Sequence, residues 1–322
     1  MSTQPTASII ICTLNRAGRL ADALRSIQAD SSVVTREVVV VDNGSTDDTR
    51  VIVEAVGAKA AIPVRYLREE TPGKSSALNT GLAASTGSIL LFTDDDVIVQ
   101  DGWADALTGA ITAKTGVVGG RVLPQWPRDP PPWMGGTTID DLGVRDHGEA
   151  PRRLEPRGVI GANMAIARPM FGGHAAPFDP TLGPNGALKV DYEEFVLISE
   201  MARVTEIAYA PDAVVLHRID SRRLEWPWIR RMYFQRGFGH ARHLERIGAD
   251  VLGAPIRTYF AVRMYGGANR RRLMNAWRRR RGSVTVAQAD EEFMSYLRTG
   301  WIIASLLSRY PRLSRWVASH LA

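Results

Sequence analysis

Cysteine occurs once in 322 residues, as Cys12 within an apolar run. An intramolecular disulfide framework is therefore excluded, and a reducing compartment is the natural setting. No apolar run approaches the roughly 20 residues needed to span a bilayer. The opening stretch "MSTQPTASIIICTLN" has no basic segment ahead of its short apolar run, so no secretory leader is expected. Residues 218–322 contain no lysine at all, yet they hold 21 Arg against 7 acids, whereas residues 1–217 hold 19 Lys and Arg against 27 Asp and Glu. Such a split argues for an acidic body followed by a basic extension that meets something anionic. With 45% hydrophobic and 23% charged residues, the chain is globular in composition and long enough for one large domain with an extension, or for two small ones.

Up to about Val99, short β-branched runs alternate with helix-like segments. "ASIIICTLN" reads as a buried strand, and "RAGRLADALRSIQAD" places Leu20, Ala23, Leu24 and Ile27 at helical spacing. The strands "REVVVVDNGS", "PVRYLREE" and "SILLFTDDD" then alternate with the helices "TDDTRVIVEAVGA" and "KSSALNTGLAAST". Strands that are apolar throughout, in βα order, predict a parallel sheet covered on both faces. Ligands bind such sheets at the carboxyl ends of the strands. Beyond Trp103 the spacing predicts a helix over "WADALTGAITAK", a strand over "TGVVGGRVLPQW", a proline-rich loop carrying Trp126 and Trp133, a strand over "GVIGANMAIAR", a helix over "DYEEFVLISEMAR" and a strand over "EIAYAPDAVVLHRI". Helical, Arg-rich sequence follows Arg218.

Three consecutive carboxylates, Asp94 to Asp96, end an apolar strand. They cannot all ionise cheaply unless a cation shares their field. Mg²⁺ or Mn²⁺ suits that role, because it takes one or two carboxylates and fills its shell with water and phosphate oxygens. A solvated acidic turn is the plainer alternative. In "VVVVDNGSTDDT", Asp42 and Ser45 could meet a base or ribose, or could simply close an Asx turn and cap a helix. In "TPGKSSALNTGL", Lys74 opens a helix that could face a diphosphate, or could lie on the surface.

In their order along the chain, "SIIICTLNR", "EVVVVDNGSTDDT", "GKSSALNTG", "LLFTDDDV", "VVGGRVLP", "GANMAIAR", "FDPTLG", "DYEEF" and "YAPDAVVLHR" resemble the family 2 glycosyltransferases over about residues 7–218. That resemblance implies the GT-A fold, a Rossmann-like mixed but mostly parallel sheet flanked by helices, over residues 1–218, with residues 219–322 as a helical basic extension. It implies an inverting transferase that takes a sugar from a nucleoside diphosphate sugar, most often a UDP-sugar, to a glycan or lipid-linked acceptor. Carried onto this sequence, "TDDDV" becomes the DxD element, with Asp94 and Asp96 nearest the metal and Asp95 toward the ribose or diphosphate. Thr13, Asn15, Arg16, Asp42 and Ser45 would hold the nucleotide, Lys74 and Asn79 would line the donor site, and His217 would complete the metal site. Gly161 and Asn163 would belong to an acceptor-side loop.

Direct displacement needs a carboxylate that deprotonates the acceptor. The family's acidic pair opening a helix corresponds here to "VDYEEF", which departs from the family's pattern. Glu194 is the preferred base, then Glu193, with Asp191 a third candidate. Acids at a helix N-terminus also have a purely electrostatic explanation. The basic extension, with Trp, Tyr, Leu and Ile at helical spacing, suits helices lying on an anionic membrane in preference to nucleic acid. The expected setting is the cytoplasm, with peripheral membrane contact. A nucleotidyltransferase and a non-catalytic scaffold are the competing readings.

Overall fold

A computed structural model describes residues 7–180, 182–183, 193–246, 272, 274–279 and 283–307. The chain divides into two compact units. Among the described residues, 7–125, 143–180 and 193–218 form the first, while 126–142, 182–183 and those from 219 onward form the second. The proline-rich stretch after Gln125 thus groups with the C-terminal extension rather than with the body that flanks it in sequence.

The first unit follows the alternation read from its sequence. Strand β1 (Ala7–Thr13) leads into helix α1 (Ala17–Ala29), then β2 (Thr35–Asp42), α2 (Thr49–Gly57), β3 (Val64–Arg68), α3 (Lys74–Ala84) and β4 (Ile89–Asp94). β3, β2, β1 and β4 are neighbours in that order, and every pairing among them is parallel. Ile9 and Ile11 of β1 pack with Leu20, Leu24 and Ile27 of α1, while Ile10 faces Leu78 and Leu82 of α3 on the other side. Alternate side chains of a strand point to opposite faces, so an all-apolar run is required for a sheet covered on both sides.

After β4 the direction changes. A three-residue strand β5 (Val97–Val99), absent from the sequence-based expectation, precedes helix α4 (Trp103–Gly109) and strand β6 (Thr115–Gln125). α4 stops five residues short of the expected "WADALTGAITAK" helix. Helix α5 (Thr137–Asp141), strand β7 (Arg152–Arg153), strand β8 (Asn163–Ala167), helix α6 (Glu193–Met201) and strand β9 (Glu206–Arg218) follow. The expected strand over "GVIGANMAIAR" is therefore only Asn163–Ala167. β8 lies between β4 and β6 and is antiparallel to both, which makes the sheet mixed. β9 pairs in parallel with β6 and antiparallel with β5.

The second unit holds α5 and two long helices, α7 (Trp226–Arg246) and α8 (Val286–Leu307). α7 and α8 cross at paired glycines: a Cβ on Gly237 would fall 1.8 Å from the Leu297 carbonyl oxygen, and one on Gly300 would fall 2.0 Å from that of Phe234. Glycine costs about 1 kcal/mol in a helix relative to alanine, and the backbone contact explains its presence. Around that crossing, Trp226, Ile229, Tyr233 and Phe293 are buried, and Trp133 packs edge-on to Trp226 with ring centroids 4.8 Å apart. Tyr233, one of the aromatic residues of the basic extension, is thus part of a core. Among the described residues no helix is long and apolar enough to cross a membrane.

Candidate active site

The loops at the carboxyl ends of β1, β2 and β4 assemble one polar cluster. Thr13, the last residue of β1, donates its hydroxyl to Asp95 Oδ2 at 2.7 Å. Asn15 follows in the left-handed region (φ 54°), where asparagine is one of the few side chains tolerated. That turn lets the Asn15 backbone nitrogen donate to Ser45 Oγ at 2.8 Å and its Oδ1 accept from the Thr46 backbone nitrogen at 2.8 Å, which ties the β1 loop to the β2 loop. Arg16 then donates to Asp95 at 2.8 Å and to Asp96 at 2.9 Å. Burial opposes charge on Arg16, but the two carboxylates outweigh it and hold its pKa above the ordinary value. Burial pushes Asp95 up to about 6, Arg16 works against that rise, and Asp96 adds to it.

Asp42 ends β2 almost wholly buried. Its Oδ1 accepts from the Ser45 nitrogen at 2.7 Å and its Oδ2 from the Tyr66 hydroxyl at 2.7 Å, with Arg68 Nη1 3.7 Å away. The turn-closing role considered for Asp42 is therefore present. Tyr66 and Arg68 were missed in the sequence; the parallel register that sets Arg68 beside Asp42 would have pointed to them. Asn43 follows Asp42 at the same strand end. Its Oδ1 accepts from the Gly73 nitrogen at 2.7 Å and its amide donates to the carbonyls of Glu69 and Thr71. Gly73 adopts φ 130°, a conformation that favours glycine, and so Lys74 begins α3 aimed at the site.

Lys74 is the centre of the second cluster. Its Nζ lies 2.9 Å from Glu194 Oε1, 3.3 Å from Asp94 Oδ1 and 3.8 Å from Glu193 Oε1. Burial disfavours the ammonium, yet Asp94, Glu194 and Glu193 together hold its pKa well above the ordinary value. Glu194 sits over Gly161, where a Cβ would fall 2.2 Å from its Oε1. The Glu194 side chain is 14% exposed and that of Glu193 only 2%. Asp191 lies outside the described residues. Burial raises the pKa of the Cys12 thiol beside this cluster, which disfavours its thiolate.

The third cluster contains Asp96 and His217, whose Oδ1 and Nε2 are 3.4 Å apart and both buried. β9 pairs His217 with Val97, which sets the imidazole beside the acidic triplet. Arg19, one helical turn after Arg16, reaches Asp96 at 3.5 Å. His217 Nδ1 is buried without a hydrogen-bond partner, so packing holds the ring and Nε2 is the nitrogen facing the charged groups. Carboxylate and imidazole together fit Mn²⁺, and a hard divalent ion needs only one or two protein ligands when water and phosphates complete its shell. Among the described residues no three His, Cys, Asp or Glu side chains converge as a cage. Asp94, the other carboxylate expected nearest the metal, stands 3.3 Å from Lys74 Nζ.

Two further expectations are redirected. Asn79 does not face the cluster: its amide donates to the Phe178 carbonyl at 2.7 Å and accepts from the Phe178 nitrogen at 3.0 Å, so it fixes that loop. Asn163 is wholly buried and cannot meet an acceptor.

A mixed, mostly parallel sheet flanked by helices, with an acidic turn beside a histidine and a helix-borne carboxylate at its strand ends, gives the first unit a GT-A glycosyltransferase fold. A mannosyltransferase from Pyrobaculum calidifontis, solved with GDP-Man and Mn²⁺, shares that fold with a TM-score of 0.62 and 18% identity, covering 95% of this chain and 88% of its own. Residues 8–171 match the glycosyl transferase family 2 model, and the chain belongs to that family. It is 29% identical over 245 residues to the succinoglycan biosynthesis protein ExoM of Rhizobium meliloti, covering 73% of this chain and 74% of that protein. It is 35% identical over 98 residues to the glucosyl-3-phosphoglycerate synthase of Mycolicibacterium smegmatis and 34% identical over 124 residues to the glycosyltransferase AglE of Haloferax volcanii. Those two matches span 30% and 38% of this chain, and only 32% and 40% of the two proteins.

Proposed function

We infer that the chain is a metal-dependent inverting glycosyltransferase that moves a sugar from a nucleoside diphosphate sugar to a hydroxyl of a glycan or lipid-linked acceptor. The observation that carries this reading is the convergence of Lys74 on Asp94 and Glu194, which links the acidic strand end to a half-buried carboxylate. The likeness to a succinoglycan biosynthesis protein over most of both chains supports a role in polysaccharide assembly.

Thr13, Asn15, Arg16, Asp42, Ser45 and Asp95 form the nucleotide end of the site. A divalent ion held by Asp96 and His217 would offset the charge that the diphosphate gains as it leaves. Lys74 places a fixed positive charge between that end and the base, stabilising the same developing charge without reorganisation. Glu194 accepts the acceptor's proton while the new bond to the anomeric carbon forms and the bond to the diphosphate breaks. Its exposure favours it over Glu193, because a general base must reach the hydroxyl.

Calorimetric titration with UDP, GDP and dTDP, each with and without Mn²⁺, tests the reading. Metal-dependent binding of one nucleotide that is lost in Asp96→Ala is the expected result. Failure of all three to bind in either condition overturns it.

A further inference from the structure

β9 does not run evenly along β6. Gly120 pairs with Ala210, but the next residue, Arg121, pairs with Val214, so β9 carries Pro211, Asp212 and Ala213 as an inserted bulge. Past it the register is regular through Val122↔Val215, Leu123↔Leu216 and Pro124↔His217. The bulge therefore decides where His217 stands, and a strand segment of this kind leaves carbonyls without ladder partners.

Asn163 supplies those partners. Its Nδ2 donates to the Ala213 carbonyl in the bulge at 2.7 Å and to the Arg121 carbonyl on β6, the first residue past the shift, at 3.0 Å. Its Oδ1 accepts from the Trp103 indole at 2.8 Å. An indole nitrogen can only donate, which settles the orientation of the amide: oxygen toward Trp103, nitrogen toward the two carbonyls. Gly120 makes room, since a Cβ there would fall 2.3 Å from Asn163 Nδ2. Asn163 and Trp103 are both wholly buried. Both N–H directions of the side chain are thus spent at the point where β9 shifts, four residues before His217, and its oxygen is held by Trp103.

We propose that Asn163 is a positioning residue for the metal-binding end of the site: it locks the β9 bulge and so holds His217 Nε2 against Asp96. The inference rests on the reading of Asp96 and His217 as metal ligands only for its functional meaning. The geometric claim stands on the metal-free protein.

The test uses the full chain labelled with [¹⁵N]histidine, the His217 imidazole signals being assigned by their loss in His217→Gln. Asp96→Asn shifts those signals. Asn163→Asp, which turns an oxygen toward two carbonyls, shifts them too, and Trp103→Phe, which removes only the orienting donor, moves them less. Glu37→Gln, a buried change at the opposite end of the sheet, leaves them in place. Wild-type His217 signals in folded Asn163→Asp overturn the proposal, as do wild-type signals in Trp103→Phe if Asn163→Asp does not fold. Equal shifts in Glu37→Gln also overturn it, because general loosening then explains the effect. Addition of Mn²⁺ separates the two readings. The His217 signals should broaden in wild type and at least tenfold higher Mn²⁺ should be needed in Asn163→Asp; absence of broadening in wild type counts against the metal reading and leaves the positioning result intact.

Discussion

The ammonium of Lys74 donates to Glu194 Oε1 at 2.9 Å while standing 3.3 Å from Asp94 Oδ1, so one cation joins an acid at the end of β4 to an acid 120 positions along the chain from the lysine itself. It lies at the start of α3, held there by the turn that Asn43 pins, and it neutralises carboxylates that would otherwise repel one another.

Lys74→Met should lower kcat by about 100-fold or more, the scale of losing a preorganised charge at a transition state. Initial rates under saturating donor measure it. Near-wild-type turnover would remove Lys74 from the chemistry.

Glu194→Gln should lower kcat by about 10²–10⁴-fold, as expected for a general base, with donor affinity kept close to wild type. Glu193→Gln should act mainly on thermal stability, because that side chain is buried. The reverse pattern would assign the base to Glu193.

Glu37 tests the fold without touching the site. Its carboxylate is desolvated, which raises its pKa, but hydrogen bonds from the Thr86 nitrogen, the Ser8 hydroxyl and the Thr86 hydroxyl prevail and hold it below the ordinary 4.5. A carboxyl with a depressed folded pKa adds stability that is fully present above the unfolded value and is lost as pH falls through the folded one. Glu37→Gln should therefore destabilise by about 1–3 kcal/mol near neutrality. The gap to wild type should shrink below pH 4.5. Urea unfolding at several pH values reads this, and a gap independent of pH would refute it.

In the second unit, Gly237→Ala and Gly300→Ala should each destabilise by about 1–3 kcal/mol or more, since the added methyl meets backbone that cannot step aside. Gly109→Ala, where a Cβ meets nothing within 4 Å, serves as the control. Differential scanning calorimetry compares them; equal melting temperatures would contradict the helix crossing.

By itself the sequence determined the βα alternation of residues 7–94, the acidic turn at Asp94–Asp96, the lysine that opens α3 and the acids that open α6. Each is a local pattern: apolar runs follow a strand or helix period, and turn and cap residues declare themselves within a few positions. Only the tertiary structure decided which acid meets which partner. Asp96 meets His217 because β9 returns beside β5, and Asp94 meets Lys74 because the turn before α3 brings the lysine to the end of β4; no neighbouring residue encodes either pairing. It also decided that Asn163 and Asn79 are spent on backbone carbonyls and amides, and that the aromatic residues of α7 fill a core. Amphipathic helices look alike whether their apolar face meets another helix or a lipid surface, and packing alone separates the two.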